Sequence, residues 1–152
     1  MDISSYKELL MKSPFGFAYH RMIFDQDGQP KDYVFLELNH AFEELTGLKA
    51  QDVIGKSTTA VIPDFESQGR SWIQKYGEVC LTQKDMVFEQ YSEALGRWYS
   101  VFAHPQSADT FTVVFVDITH SKEIQAVIEY QNQRLELISK YSADWMVLLD
   151  EN

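Results

Sequence analysis

The spacing of apolar and polar residues changes several times along the chain, and each change marks an element. Ser5-Tyr6-Lys7-Glu8 has the spacing of a capping box, followed by apolar Leu9, Leu10 and Met11, which predicts a short N-terminal helix. Ser13-Pro14 ends it, because a residue before proline is pushed out of the α region. Two aromatic-rich segments, Phe15–Phe24 and Tyr33–Leu38, read as strands of an antiparallel hairpin. Asp25-Gln26-Asp27-Gly28-Gln29-Pro30 is the turn between them, with Gly28 free to take a positive φ.

Asn39 is suited to cap a helix over His40–Leu45 whose buried stripe is Ala41, Phe42 and Leu45, and Gly47 supplies the left-handed residue that ends it. Residues 50–63 read as irregular, broken at Gly55 and Pro63. Asp64 then caps a longer helix. On it Phe65, Gly69, Trp72, Ile73, Tyr76 and Cys80 recur at steps of 3 and 4 and share one face. Three strands follow, at about Asp85–Tyr91, Arg97–His104 and Thr110–Ile118. Strands grouped in this way, without βαβ alternation, predict an α+β domain: a five-stranded antiparallel sheet with helices packed on one face.

From Ser121 to Ser139 the chain turns polar, with Ile124, Ile128, Gln131, Leu135 and Ile138 spaced 4, 3, 4, 3 as in a heptad seam. The spacing suits a helix that pairs with a second copy of the chain, and equally an amphipathic helix lying on its own sheet. The continuous apolar run Trp145-Met146-Val147-Leu148-Leu149 reads as a buried strand, with Asp150-Glu151-Asn152 as the turn after it. A single strand has no sheet of its own, so the chain is expected to be a fragment. The alternative is that the run joins the existing sheet or extends the helix. The expected division is an N-terminal helix (1–13), a core (14–119), a linker helix (120–140) and the start of a second, truncated domain of the same kind (141–152).

Composition narrows the function. The chain has 152 residues with 13 Lys+Arg against 23 Asp+Glu, a formal net charge of −10, which disfavours binding to nucleic acid and to anionic membranes. Cys80 is the single cysteine, so an intramolecular disulfide is impossible and a cysteine zinc site is disfavoured. No apolar run approaches the roughly 20 residues that span a bilayer, and no signal peptide is recognisable. A cytoplasmic location is expected, with no direct membrane contact from this segment, although a membrane-anchored parent protein is compatible with it.

Five short motifs, in order and on the expected elements, carry a family resemblance. They are Asp25-Gln26-Asp27-Gly28, Asn39-His40-Ala41-Phe42-Glu43-Glu44-Leu45-Thr46-Gly47, Val53-Ile54-Gly55-Lys56, Gly96-Arg97-Trp98-Tyr99 and Asp117-Ile118-Thr119. From residue 5 to about 123 the chain resembles a PAS domain, the sensory module of bacterial signalling proteins. The resemblance implies a ligand or cofactor cavity between sheet and helices. It also implies a regulatory role upstream of an effector in the same parent chain, such as a histidine kinase or a GGDEF diguanylate cyclase. Asp117 and Thr119 match the motif that couples the last strand to the output helix in that family.

The fold does not name a cofactor. Flavin-binding LOV members carry a cysteine in an Asn-Cys-Arg-Phe-Leu-Gln motif, whereas the corresponding Gly55–Pro63 stretch has no thiol, so a flavin adduct is disfavoured. Cys80 lies elsewhere and reads as a small buried hydrophobe. Haem-binding members take an axial histidine, commonly from the long helix; residues 64–83 contain none, so haem is disfavoured too. His20, His40, His104 and His120 read as structural. Glu43-Glu44 and Asp25/Asp27 read as solvated surface. No phosphate loop or recognisable catalytic constellation is present, and this segment is not expected to be an enzyme.

Trp72 and Tyr76 on the long helix, with Tyr91, Tyr99 and Phe102 on the strands it covers, are the candidate pocket residues; each ring could equally be plain core. The leading expectation is a module that detects a small molecule or a redox signal and relays it through its C-terminal helix, as a homodimer seamed by Ile124, Ile128, Leu135 and Ile138. The alternative is a ligand-free dimerisation or protein-interaction module.

Overall fold

The computed structural model describes residues 3–62, 65 and 69–150, with the backbone alone described at residues 3, 4, 6 and 142–150. The chain divides into two compact units, Met1–Ile118 and Thr119–Asn152.

The first unit runs α1 (Ile3–Lys12), β1 (Gly16–Phe24), β2 (Pro30–Leu38), α2 (His40–Thr46), α3 (Ala50–Val53), α4 (Thr58–Val61), α5 (Arg70–Thr82), β3 (Met86–Ser92), β4 (Arg97–Pro105) and β5 (Thr110–Asp117). The strands form one antiparallel sheet in the order β2-β1-β5-β4-β3. The first strand thus sits beside the last at the centre. The expected α+β architecture is the one found.

Local chemistry explains the joints. In the first turn Asp25 Oδ1 accepts from the backbone N–H groups of Asp27 and Gln29, both at 2.9 Å, and Gly28 takes φ +78°. The Asp25 carboxylate therefore has a structural task and is not merely solvated surface, because a short acceptor beside its own turn competes well with water. Asn39 is buried and ties three elements together. Its Oδ1 accepts from Phe42 N–H (2.9 Å), capping α2, and from Phe17 N–H (3.0 Å) on β1. Its Nδ2 donates to the carbonyls of Leu10 and Phe15, both at 2.9 Å.

The segment 50–63, expected to be irregular, contains the single turns α3 and α4. They have too few residues for apolar periodicity to show. Between them the backbone of residues 54–57 bonds to β2: Gly55 N–H to Phe35 O at 2.7 Å and Phe35 N–H to Lys56 O at 3.1 Å. This covers part of a sheet edge that would otherwise be open. The expected Asp64 cap lies outside the described residues, and α5 is regular from Arg70.

Helix α5 packs over β1, β2, β4 and β5. Phe65, Trp72, Ile73, Tyr76 and Cys80 are all buried, as their spacing implied. The helix comes close to β2 at Gly77, where an added Cβ would lie 2.0 Å from Pro30 Cγ.

The second unit is one helix, α6 (Thr119–Asp150). It begins earlier and runs further than the expected 121–139 span. The run Trp145–Leu149, expected as a buried strand, continues this helix. A strand needs a partner ladder for its backbone, whereas a helix satisfies its backbone locally, and a five-residue apolar run has no period of its own to choose between them.

Candidate functional site

A cavity of about 60 Å³ lies between the sheet and the helices. The bulk of its wall is aromatic: Tyr33 and Phe35 of β2, Phe42 of α2, Phe65 ahead of α5, Trp72 and Tyr76 of α5, Tyr99 of β4 and Phe115 of β5. Among the described residues no Asp, Glu, Lys or Arg lines it. An occupant therefore meets apolar surface and a few neutral polar groups.

His20 of β1 is the polar group that stands out. It is buried among Tyr33, Phe35, Tyr76 and Phe111, with ring centroids 4.9, 5.1, 6.3 and 5.0 Å away, and it lines the cavity. The β1–β2 register shifts between Tyr19 and His20, a bulge-type irregularity at the point where this side chain enters the core. Burial, partly opposed by a backbone hydrogen bond at Val34, lowers the His20 pKa from 6.5 to about 3. The ring is therefore neutral at physiological pH. Its Nδ1 is buried and has no hydrogen-bond partner.

The other polar wall groups are engaged within the protein or held neutral. Thr46 Oγ1 donates to Phe42 O at 2.8 Å and accepts from Leu48 N–H at 3.1 Å. Ser92 Oγ accepts from Leu95 N–H at 3.3 Å. Tyr99 Oη donates to Leu45 O at 3.0 Å. Burial raises the pKa of Tyr33 and Tyr76 well above the usual phenol value and that of Tyr99 to about 12, the last partly offset by the Arg97 charge.

Of the five rings expected to line a pocket, the structure brings together Trp72, Tyr76 and Tyr99. Tyr91 and Phe102 are exposed on the opposite face of the sheet. Strand parity is the reason. Tyr99, Val101 and Ala103 of β4 are buried, so Phe102, an odd step from Tyr99, points the other way, where it shares a shallow surface with Val87 and Val116. In β3 the more buried positions are Met86, Phe88, Gln90 and Ser92, which turns Tyr91 outward against Trp98 (5.7 Å).

His20 is the site residue that was read as a satisfied structural histidine. The same parity rule marks it: Ala18, His20 and Met22 alternate on the buried side of β1. Its missing partner could not be read from the sequence, because that depends on distant segments. Glu43, also read as solvated, is a loop clamp. Its Oε2 accepts from Ala50 N–H at 2.8 Å, and this bond is the largest of the influences that lower its pKa.

Residues 30–83 match the family model described as the PAS fold. The fold is that of the PAS family. The chain is similar to a domain of an HTR-like protein from Haloarcula marismortui ATCC 43049, at 20% identity and a TM-score of 0.54, covering 70% of this chain and 100% of that one. It is also similar to a domain of a sensory box sensor histidine kinase/response regulator from Geobacter sulfurreducens, at 11% identity and a TM-score of 0.53, covering 75% and 92%. A third similar structure is a Light-Oxygen-Voltage domain described with a flavin analogue, at 14% identity and a TM-score of 0.53, covering 88% and 98%. No curated protein matches the chain by sequence.

A flavin or a haem does not fit this cavity. About 60 Å³ is far below the roughly 300 Å³ at which pockets for larger ligands begin. Cys80 is absent from the lining, and burial, with a smaller effect of the Asp109 charge, raises its pKa to about 11, so it is a buried thiol rather than a thiolate.

The exit from the sheet is connected to the cavity wall. Leu45 O, in the last turn of α2, accepts from Arg97 Nη1 at 2.7 Å as well as from Tyr99 Oη. Arg97 Nη1 also lies 3.7 Å from Asp117 Oδ2, at the end of β5. Thr119 opens α6. The two residues expected to couple the sheet to the helix thus stand at the strand's last residue and the helix's first.

Proposed function

We propose that this PAS domain is a sensory input module that registers the occupancy of its cavity and transmits it along α6 to an effector in the same parent chain, a histidine kinase or a diguanylate cyclase. The observation that carries this reading is a neutral aromatic cavity whose wall residue Tyr99 shares one carbonyl, Leu45 O, with Arg97, the neighbour of Asp117. An occupant that displaces Tyr99 or α2 changes the sharing of that carbonyl and hence the hold of Arg97 on Asp117. This gives a ligand a differential interaction with two states, which any switch requires.

The output in this reading is a pair of α6 helices. Ile124, Ile128, Leu135 and Ile138 are exposed within the chain and lie along one heptad stripe, which suits a parallel homodimer. Native mass spectrometry of the purified chain tests the input half. A small-molecule adduct released on denaturation supports the reading. Bare protein that also shows no shift in melting temperature across a panel of neutral small molecules refutes it.

A further inference from the structure

The cavity has a solvent side, and one carbonyl ties its two flanks together. Of the described residues that line it, Thr46, Leu48 and Leu95 are half-buried and the rest are buried. Those three belong to two segments, the chain leaving α2 and the turn between β3 and β4. An occupant that reaches the buried wall with the core intact therefore passes between them.

Each flank is closed on itself. Ala50 N–H donates to Glu43 Oε2 at 2.8 Å across the chain that follows α2. In the turn, Gly96 N–H donates to Ser92 O at 2.7 Å and Leu95 N–H to Ser92 Oγ at 3.3 Å. The width of the opening then depends on what joins the two flanks. Leu45 O does so. A helix leaves the carbonyls of its last turn without intrahelical donors, and this one accepts from Arg97 Nη1 at 2.7 Å and from Tyr99 Oη at 3.0 Å. Leu45 adjoins Thr46 on one flank, and Arg97 lies two residues from Leu95 on the other. The Tyr99 ring is held in the wall by Trp72 and Phe115, with centroids 6.4 and 5.2 Å away. Arg97 is exposed, does not line the cavity, and can turn its guanidinium from Leu45 O toward water or toward Asp117 Oδ2, 3.7 Å away.

We propose that Arg97 latches the mouth of the cavity: its bond to Leu45 O holds the Leu48 and Leu95 flanks at their separation, and release of that bond sets how fast an uncharged occupant enters and leaves. Arg97 acts through Leu45 and touches no occupant, so it is a positioning residue. The inference rests on the ligand-sensing reading above and adds to it the route and the control of entry.

Xenon, which enters dry apolar cavities, is the probe, because its exchange is read without knowing the natural occupant. The whole chain is equilibrated with xenon under pressure. Occupancy is read from the methyl NMR shifts of Ile62 and Val101, which line the cavity, and the exit rate from ¹²⁹Xe saturation transfer. Arg97→Met keeps an unbranched side chain and removes the donor. It is expected to raise the exit rate about tenfold, for the loss of one charge-assisted hydrogen bond. Arg21→Met, which removes an exposed ion pair with Asp109 (3.6 Å) on the same sheet, is expected to leave the rate within about twofold. Leu95→Ala trims the rim itself and is expected to raise the rate too. An exit rate in Arg97→Met equal to the wild type, with xenon bound in both, overturns the latch and leaves the sensing cavity standing. Equal acceleration by Arg21→Met means that general loosening opens the cavity, and it also overturns the latch. An unchanged rate in Leu95→Ala overturns the placement of the mouth. Xenon that moves neither methyl group in the wild type removes the sensing reading together with the inference.

Discussion

Replacing His20 by Phe is expected to make the domain resistant to acid. In the folded chain His20 has its pKa lowered from 6.5 to about 3 by burial. Between those values the unfolded chain binds a proton that the folded chain refuses, so stability rises with pH across the window and falls as pH drops through it. A one-unit difference in pKa corresponds to about 1.4 kcal/mol, so this one group removes about 3 kcal/mol of stability between pH 7 and pH 4. Tyr33 and Tyr76, the titratable rings packed against it, have pKa values raised by burial and stay neutral throughout. The Phe variant keeps an aromatic ring beside Phe111, has the cavity to take up its extra volume, and loses the unpaired buried nitrogen, which costs about 1–3 kcal/mol where it stands. At pH 7 it should therefore match or exceed the wild type. The assay is urea unfolding of both proteins at half-unit steps from pH 7 to pH 4. The gap between the curves should widen by about 3 kcal/mol in favour of the variant. Parallel pH profiles would show that His20 titrates normally, and the buried, neutral site described above would be wrong.

Asn39→Ala should cost about 2–4 kcal/mol in the same assay, because it removes an N-cap and leaves Phe17 N–H and two backbone carbonyls without their partner; a loss below 0.5 kcal/mol would contradict that. Gly77→Ala should destabilise by about 1–3 kcal/mol despite alanine's better helix propensity, since its methyl meets the Pro30 ring; a stabilised variant would mean that α5 and β2 are not so close. Ile128→Lys combined with Leu135→Lys should turn a dimer into a monomer in sedimentation while the melting temperature of the core changes little; a wild-type chain that is already monomeric at high concentration would refute the seam.

What could be read from the sequence is what depends on neighbours in the chain. Gly28, Gly47 and the Asn39 cap on Phe42 N–H act within a few residues of themselves, and each does what its local pattern implied, whereas the bonds of Asn39 to Leu10, Phe15 and Phe17 were not legible. The α5 face was legible because one period runs through it. Tyr91 and Phe102 were misplaced by counting rings without parity: Tyr99 and Phe102 are an odd step apart on one strand and cannot share a face. The solitary state of His20 Nδ1, the clamp from Glu43 to Ala50 and the tie between Leu45 and β4 depend on segments up to 54 residues apart, which no local pattern encodes. The helix through Trp145–Leu149 shows the converse failure, in which a five-residue apolar run with no period of its own was assigned to a strand.

The central claim is that cavity occupancy is felt at the start of α6, and hydrogen exchange measures this directly. The wild type and Asp117→Ala are compared with and without a saturating small molecule identified by native mass spectrometry, following peptides over residues 16–24, which include His20, and over residues 117–126, which open α6. In the wild type, exchange should change in both peptides. In Asp117→Ala it should change only over residues 16–24, with the fold intact, because the Arg97–Asp117 contact is gone. Protection confined to residues 16–24 in the wild type would mean that the cavity binds without signalling, and the relay would be contradicted.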